Sequence, residues 1–384
     1  MTNLKRSLEP FIQKRLKEKI VLITGPRQCG KTTLSKTLTS SFDYFNYDNA
    51  EDRAVLLQKS WDRKKKLVIF DELHKLKNWK SYLKGVYDKE GVPPALVVTG
   101  SANLDTYRKM GDSLAGRYFR YRLHPLDLAE LSPTYTATSD HILDRLMAYS
   151  GFPEPFIKGS TDEYNLWKKT HLDIIIKQDL LDLENVRNIK GIETLIQLLR
   201  RSVGSSISYM SLARDLQVAS QTIQHWTQIL ENLYVIFRVS PYSKNIARSL
   251  LKEPKFYFYD TAYVLGDEGQ KFENLIACAL LKRLHFIEDT TGADIGLHYC
   301  RTKDGLEVDF LVHINEQATL IEAKWSDGTL SRSLRLFKEK LPHAAAIQLC
   351  KQLDREKTFP NGCEVRAAQD WLKQPLQYPA SGKP

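Results

Sequence analysis

The sequence predicts an α/β protein of several domains that opens with a parallel sheet and a phosphate-binding loop. The motif G-x-x-x-x-G-K-[ST] is complete within residues 21–33. Short apolar runs that end in small or acidic residues are typical of buried parallel strands. A chain of 384 residues exceeds one ordinary core, so we expect two or three domains.

The composition fits a folded protein, with 42% hydrophobic residues and a net charge of +10. A basic chain favours nucleic acid or acidic surfaces as partners, although Lys and Arg are spread along this one. The densest basic cluster, at residues 63–66, is best explained as a solvated loop. No apolar run approaches the ~20 residues of a membrane span, so we expect no membrane partner.

Cysteine usage and the N-terminus predict a cytoplasmic protein. The five cysteines are odd in number and include no C-x-x-C pair, which argues against a disulfide framework or a zinc site. The first twenty residues are charged throughout and form no signal peptide; their apolar spacing indicates an amphipathic helix. Cys29 lies inside the phosphate loop, where oxidation would distort the site, so a reducing compartment is favoured.

The phosphate loop lies between an apolar strand, residues 20–23, and a helix predicted at residues 32–38. Its glycines let backbone N–H groups turn towards an anion, and the helix N-terminus adds partial positive charge. Lys31 can reach the β- and γ-phosphates of ATP, and the Thr32 hydroxyl can bind Mg²⁺. The alternative is a Gly-containing turn before an ordinary helix. The candidate nucleotide-binding residues are Gly25, Pro26, Arg27, Gln28, Cys29, Gly30, Lys31, Thr32 and Thr33.

Two carboxylates follow the apolar run at residues 67–70, which is predicted to be a buried strand. Ligands of open α/β sheets lie beyond the carboxyl ends of the strands. Asp71 is therefore the candidate Mg²⁺ ligand, and Glu72 is the candidate base for the attacking water. The alternative is that the pair caps the next helix, near Lys75.

Two further catalytic candidates follow. The predicted strand at residues 95–103 ends in small polar residues, and Ser101, with Asn103 second, is the candidate sensor of the γ-phosphate. A simple turn with an N-cap is the alternative. Arg117 follows Gly116, as an arginine finger at a subunit edge does; a surface arginine is the alternative.

These stretches resemble the archaeal and bacterial AAA-type ATPases that carry a C-terminal domain of uncharacterised function. The matching segments are GPRQCGKTTL, LVIFDELHKLKNWKSYLKGVYD, VVTGSANLD, LAGRYFRYRLHPLDLAEL and MAYSGFPEPF. The resemblance implies an ATP-hydrolysing core of the ASCE type with a five-stranded parallel sheet. A catalytic Glu beside the Mg²⁺-binding Asp belongs to that pattern, and Asp71 and Glu72 fill both positions.

The middle of the chain is predicted to be helical. A Ser/Thr-rich linker at residues 132–140 precedes two long helical patterns, at about 161–184 and 189–203. A helix-turn-helix pattern then places a second helix at residues 220–232. Gln221, Thr222 and Gln224 on that helix could meet base edges of DNA, but winged helices also serve as plain packing modules.

The last third contains the order of residues found in PD-(D/E)xK nucleases: Glu273 on a helix, Asp309 on a strand, then Glu322 and Lys324 on a third strand. Strand geometry puts Glu322 and Lys324 on one face. Asp309 and Glu322 are the candidate metal ligands, because carboxylates hold hard divalent ions. The C-terminal domain of the resembled family is similar to the restriction-endonuclease fold. The alternative is a structural Lys–carboxylate cluster in an inactive domain.

Two hypotheses follow. The first is a Mg²⁺-dependent ATPase with a nuclease-like domain that acts on or near DNA. The second is an ATP-dependent switch that binds a protein partner. A GTPase is disfavoured because no N-K-x-D motif stands out, and a small-molecule kinase because the Asp-Glu pair suits water attack. Self-assembly stays open.

The predicted division of the chain has five segments. They are an ATPase domain at 1–131, a linker and helical region at 132–203, a winged-helix-like region at 204–262, a nuclease-like domain at 263–375 and a tail at 376–384.

Overall fold

The fold was analysed in a computed structural model, which describes residues 4–100, 114–176, 188–243, 253–326 and 328–374. The chain divides into two compact units. The first comprises Met1–Pro125 with Asn232–Tyr234, and the second comprises Leu126–Glu231 with Val235–Pro384. In the described part of the chain, no helix combines the length and the apolar composition needed to cross a membrane.

The first unit is built on a five-stranded parallel sheet. Its strands are β1 (Ile20–Thr24), β2 (Phe42–Asn46), β3 (Leu67–Asp71), β4 (Ala95–Gly100) and β5 (Tyr118–Arg122). They lie in the order β2-β3-β4-β1-β5. Every residue of β1, β3 and β4 is buried, which explains why these strands are apolar runs without alternation. The order places β4 between the strand of the phosphate loop and the strand of the two carboxylates.

Among its described residues, four α-helices accompany this sheet, at Glu9–Arg15, Lys31–Thr37, Ala50–Gln58 and Trp79–Glu90. The third is capped by Asn49, whose side chain accepts hydrogen bonds from the backbone N–H groups of Glu51 and Asp52. The amphipathic helix expected at the N-terminus is confined to Glu9–Arg15, where Ile12 is its buried residue.

The second unit begins with short helices and continues into a mixed sheet. Its helices are Leu128–Leu131, Ser139–Tyr149, Pro153–Lys158, Thr161–Ile174, Ile189–Arg201, Tyr209–Asp215, Ser220–Asn232, Glu268–Thr291, Arg332–Lys340 and Ala368–Lys373. The two helices of the predicted helix-turn-helix are joined by a turn in which Gln217 has a φ of 54°.

The sheet of this unit has eight strands in the order β12-β13-β11-β10-β9-β8-β6-β7. They are β6 (Ile236–Pro241), β7 (Lys255–Phe258), β8 (Ile295–Arg301), β9 (Glu307–Ile314), β10 (Gln317–Lys324), β11 (Ala345–Cys350), β12 (Lys357–Thr358) and β13 (Cys363–Ala367). Strands β8, β9 and β10 are antiparallel neighbours, whereas β10, β11 and β13 run parallel. This topology brings the residues of β7, β9 and β10 to the long helix Glu268–Thr291.

The α/β class is confirmed, with a parallel sheet first, helices in the middle and a sheet domain at the C-terminus. The division into five segments stays a prediction. The two compact units divide the chain at other positions, after Pro125 and around residues 232–234. Ser101 and Asn103 lie outside the described residues, as does the tail from residue 375.

Candidate functional site

The phosphate loop occupies residues 25–30, between β1 and the helix Lys31–Thr37. Gly25 has a φ of 144°, and a Cβ atom at this position would lie 2.1 Å from the carbonyl oxygen of Leu123. Gly30, with a φ of 100°, caps the helix in a left-handed conformation. Only glycine tolerates both constraints at low cost, so the fixed glycines of the motif set the path of the loop.

Lys31 is held inside this loop by the backbone. Its Nζ donates hydrogen bonds to the carbonyl oxygens of Gly25, at 2.8 Å, and Pro26, at 2.6 Å. The side chain is buried, so its charge is concentrated where the loop closes. A buried ammonium beside backbone turns with positive φ is a preformed site for an anion.

Neighbouring backbone and side chains brace the loop from behind. The guanidinium of Arg6 donates to the carbonyl oxygen of Cys29 at 2.8 Å and also to that of His124. The thiol of Cys29 is fully buried and lies 3.3 Å from the carbonyl oxygen of Leu123. These contacts fix the loop from the N-terminal segment and from the end of β5.

Asp71 lies at the carboxyl end of β3, where strand register brings it beside Thr99 of β4. Its carboxylate accepts a hydrogen bond from the Thr32 hydroxyl at 2.7 Å and one from the Tyr44 hydroxyl at 2.8 Å, both on Oδ2. The Thr99 hydroxyl donates to Oδ1. The predicted pair Thr32 and Asp71 is therefore brought together across 39 residues of sequence.

Tyr44 and Thr99 are functional candidates that the sequence did not single out. Burial and the negative charge of Asp71 raise the pKa of Tyr44, so its hydroxyl remains protonated and donates to the carboxylate. The pairing of β3 with β4 could have identified Thr99, because it lies near the end of β4 and opposite Asp71. Tyr44 has no such signal, since it lies within an aromatic strand.

Glu72 follows Asp71 in a left-handed conformation, with a φ of 55°. Its backbone N–H donates to the carbonyl oxygen of Thr99 at 3.1 Å. Burial raises the pKa of Glu72, while the charges of Lys31 and Arg27 oppose that shift. A carboxylate with a raised pKa accepts a proton from water more readily than an ordinary glutamate.

His74 is a second group near this carboxylate that the sequence did not indicate. Its Nδ1 lies 3.5 Å from Oε2 of Glu72. Burial lowers the pKa of His74 to about 4, helped by the charges of Lys75, Arg27 and Lys31. The imidazole is therefore neutral at pH 7 and adds no charge to the site.

Arg117 lies away from the phosphate loop of its own chain. It immediately precedes β5, whereas the loop follows β1, and these two strands run parallel. Its Nε and Nη2 donate to the two carboxylate oxygens of Asp88, at 2.7 and 3.3 Å. The finger role thus requires a neighbouring copy and the release of this exposed ion pair, and it stays a prediction.

The four predicted residues of the nuclease pattern are assembled in the second unit. Glu322 Oε1 lies 3.0 Å from Nζ of Lys324, as the strand spacing predicts. Oδ2 of Asp309 accepts a hydrogen bond from the backbone N–H of Ala323 at 2.9 Å. Burial raises the pKa of Asp309 strongly, and the carboxylates of Glu273 and Glu322 raise it further.

A lysine that the sequence did not indicate lies among these carboxylates. Lys255, the first residue of β7, is 1% exposed. Its Nζ lies 2.5 Å from Glu307 Oε1, 3.4 Å from Glu273 Oε1 and 3.9 Å from Asp309 Oδ1. Burial alone would lower the pKa of Lys255, but these three negative charges outweigh it and raise the pKa. The lysine stays charged.

The metal-binding role of Asp309 and Glu322 stays a prediction. Among the residues that the structure describes, no group of three or more His, Cys, Asp and Glu side chains is placed to hold a metal ion. Oδ2 of Asp309 accepts the hydrogen bond from Ala323, and its Oδ1 lies 3.9 Å from Nζ of Lys255. Within the same described residues, Oε2 of Glu322 is buried without a hydrogen-bond partner. A divalent ion needs several oxygen ligands, so this one oxygen does not by itself make a metal site.

Comparison with known proteins gives matches to three family models along the chain. Residues 17–132 match a family described as an AAA domain. The chain contains an AAA-type P-loop domain. Residues 140–265 and 268–366 match two domains of unknown function, DUF8612 and DUF4143.

Similar whole chains carry no assigned activity. Uncharacterized protein Rv2008c of Mycobacterium tuberculosis is 27% identical over 336 residues, which cover 82% of this chain and 73% of the relative. Uncharacterized protein MJ1544 of Methanocaldococcus jannaschii is 25% identical over 350 residues, covering 80% and 75%. Among solved structures, a Thermotoga maritima RuvB variant is similar with a TM-score of 0.33 and 17% identity, covering 62% of this chain and 89% of that chain.

Proposed function

We propose that the protein is a Mg²⁺-dependent ATPase whose nucleotide site lies in the AAA domain, at residues 25–33 with Asp71 and Glu72. The observation that carries the proposal is the 2.7 Å hydrogen bond between the Thr32 hydroxyl and the Asp71 carboxylate. It joins the end of the phosphate loop to the end of the acidic strand. These are the two protein oxygens that a nucleotide-bound Mg²⁺ needs.

The donor set fits Mg²⁺, which usually takes one or two carboxylates and completes its sphere with water and substrate phosphates. Thr32 and Asp71 supply one hydroxyl and one carboxylate, both hard oxygen ligands. When bound, the metal neutralises charge on the β- and γ-phosphates. Tyr44 and Thr99 orient the Asp71 carboxylate by donating to its two oxygens.

The remaining residues of the site divide the work of binding and proton transfer. Lys31 binds the phosphates, because its buried ammonium lies inside the loop. Glu72 takes the proton of the attacking water, since burial raises the pKa of its carboxyl above the ordinary value. We propose that Ser101 senses the γ-phosphate, as its position after β4 suggests.

The binding role of Lys31 is tested by comparing two lysines of the same helix. We expect Lys31→Ala to weaken ATP binding by about 100-fold, because a buried charge-assisted contact to phosphate is lost. Lys36→Ala removes a lysine whose ammonium lies 3.7 Å from the ring of Tyr44, and it should leave binding near wild type. Titration calorimetry with Mg²⁺-ATP measures both. Equal affinities of Lys31→Ala and wild type would refute the proposed site.

We further propose that the C-terminal domain is nuclease-like in sequence pattern and inactive in chemistry. The observation that favours this is Lys255, whose ammonium is paired with three carboxylates of the cluster. An internal cation already neutralises the charge that a divalent ion would neutralise. The protein then acts as an ATP-dependent switch, and this domain serves to bind a partner.

A DNA cleavage assay separates an active from an inactive domain. We expect supercoiled plasmid to stay intact with Mg²⁺ or Mn²⁺, whether wild type or Asp309→Ala is added. The physical reason is that one oxygen of the Asp309 carboxylate accepts a hydrogen bond from Ala323, and the other lies 3.9 Å from the ammonium of Lys255. Nicking by wild type that Asp309→Ala abolishes would establish nuclease activity and overturn this part of the proposal.

DNA stays a candidate partner through the helix Ser220–Asn232. Gln221 and Gln224 lie exposed on it, whereas Thr222 is half-buried. Amide side chains can contact adenine edges, but this helix itself contains no Lys or Arg to bind phosphate. Rates of ATP hydrolysis with single-stranded DNA, duplex DNA, RNA or no polymer decide between a nucleic acid and a protein partner.

A further inference from the structure

A cavity of about 570 Å³ lies on one face of the eight-stranded sheet in the second unit. Its floor consists of apolar side chains from β9, β10 and β11: Val312, Ile314, Ile321 and Ile347. Its size is within the range of small-molecule sites. Since successive side chains of a strand point to opposite faces, Ile321 faces the cavity while Glu322 faces away from it. The cavity is therefore separate from the carboxylate cluster.

Arg283, on the helix Glu268–Thr291, lines this cavity and is only 7% exposed. Its guanidinium lies 5.0 Å from the ring centre of Trp371, another lining residue. Within the described residues, the one hydrogen bond of this guanidinium goes to the carbonyl oxygen of Leu372. A guanidinium has five N–H donors, so most of its donors are uncommitted.

No carboxylate of the described residues lies within ion-pair distance of Arg283. The three acidic residues that line the cavity are committed elsewhere. Glu356 and Glu364 both pair with Arg366, each at 2.9 Å, and Asp370 lies 3.8 Å from Nζ of Lys373. Burial lowers the pKa of Arg283 to about 10, and it remains charged at pH 7. The Asp127 carboxylate acts on Arg283 from beyond ion-pair distance, and it is already paired with Lys282 at 3.1 Å. A buried cation without a directly paired counter-ion is costly unless an anion joins it.

We propose that this cavity binds a small organic anion, a carboxylate or phosphate carried on an apolar body. The anionic group meets the guanidinium of Arg283, which suits planar bidentate recognition. The apolar body packs on the strand floor of Val312, Ile321 and Ile347. The proposal concerns the second unit alone and is independent of the nucleotide site.

The probes are benzoate, phenyl phosphate and the neutral benzamide, titrated into the full chain by calorimetry. All titrations use the Lys31→Ala background, so that the phosphate loop does not capture the phosphate probe. We expect one of the two anions to bind at least tenfold more tightly than benzamide. The preferred anion tells a carboxylate site from a phosphate site.

Substitutions then locate the binding. Arg283→Met should weaken the preferred anion by about 10- to 100-fold, because a hydrogen-bonded charge is lost. Arg332→Met, at an exposed arginine of the same unit, should leave binding unchanged. Thr319→Trp fills the cavity from β10 without touching Arg283, and it should abolish binding even if Arg283→Met fails to fold.

Three results would overturn the proposal. One is that neither anion binds more tightly than benzamide. Another is that folded Arg283→Met binds the anion as tightly as its parent. The third is that folded Thr319→Trp retains the affinity. If the AAA domain did not bind ATP, these three measurements of anion binding would be unaffected. The anion-site proposal and the ATPase proposal can therefore be refuted independently of each other.

Discussion

Replacing Glu72 by Gln should lower kcat for ATP hydrolysis by about 10²- to 10⁴-fold, the usual worth of a positioned general base. The amide keeps the size of the side chain but cannot accept the proton of water. Because Lys31, Thr32 and Asp71 are untouched, the affinity for Mg²⁺-ATP should stay within about twofold of wild type. Phosphate release under single-turnover conditions, together with calorimetry, measures the two quantities separately.

The pH profile of wild type distinguishes a base from a structural carboxylate. Burial raises the pKa of Glu72, and only its ionised form can act as base. Activity is therefore full above the raised pKa and is lost as pH falls through it, at a higher pH than an ordinary glutamate would give. Glu72→Gln should lack this acid limb.

The matched control is Glu18→Gln, at an exposed glutamate paired with Arg15 at 2.9 Å. It removes the same charge from the same unit and should leave kcat unchanged, because exposed ion pairs contribute little. If Glu72→Gln hydrolyses ATP as fast as Glu18→Gln, the assignment of the base is wrong.

The sequence indicated an AAA-type domain because the signals of the phosphate loop and the acidic strand are local. Gly25 and Gly30 are fixed by backbone conformation, and Lys31 follows them directly on the helix. Asp71 was predictable because a strand of four apolar residues ends there, and parallel strands present their carboxyl ends at one edge. Each inference needed only a few neighbouring residues.

The residues that sequence reasoning missed depend on the pairing of distant segments. Thr99 contacts Asp71 only through the register of β3 and β4, and Tyr44 reaches it from the edge strand β2. The pKa of His74 is lowered because the side chain is buried, and the spacing of residues in the sequence does not show that burial. Lys255 joins the carboxylates of β9 from β7, a strand that does not neighbour β9 in the sheet.

Lys255 also shows what a four-residue sequence pattern leaves out. The order Glu273, Asp309, Glu322, Lys324 suggested an open metal centre, because the sequence shows the carboxylates and not what neutralises them. We propose that the buried ammonium of Lys255, which lies among Glu273, Glu307 and Asp309, makes this region a structural ion cluster. The second prediction of large effect tests that difference.

Replacing Lys255 by Met should destabilise the second unit by about 3–5 kcal/mol at pH 8, since removing one partner of a buried ion cluster leaves charge uncompensated. Burial and the neighbouring carboxylates already raise the folded-state pKa of Asp309, and without the ammonium this pKa should rise further. The stability that depends on this group is retained at low pH and lost as pH rises through the raised pKa, so the deficit should shrink at pH 5.

Urea unfolding at pH 8 and pH 5 measures the loss in free energy of unfolding. Two further variants serve as controls. Lys271→Met removes a lysine whose partner Glu268 is exposed, and it should cost less than about 1 kcal/mol. Adding Glu273→Gln to Lys255→Met should restore part of the stability, because one uncompensated carboxylate is removed. If 10 mM Mg²⁺ alone restored Lys255→Met to wild-type stability, the carboxylates would form a metal site, and the case for an inactive domain would fail.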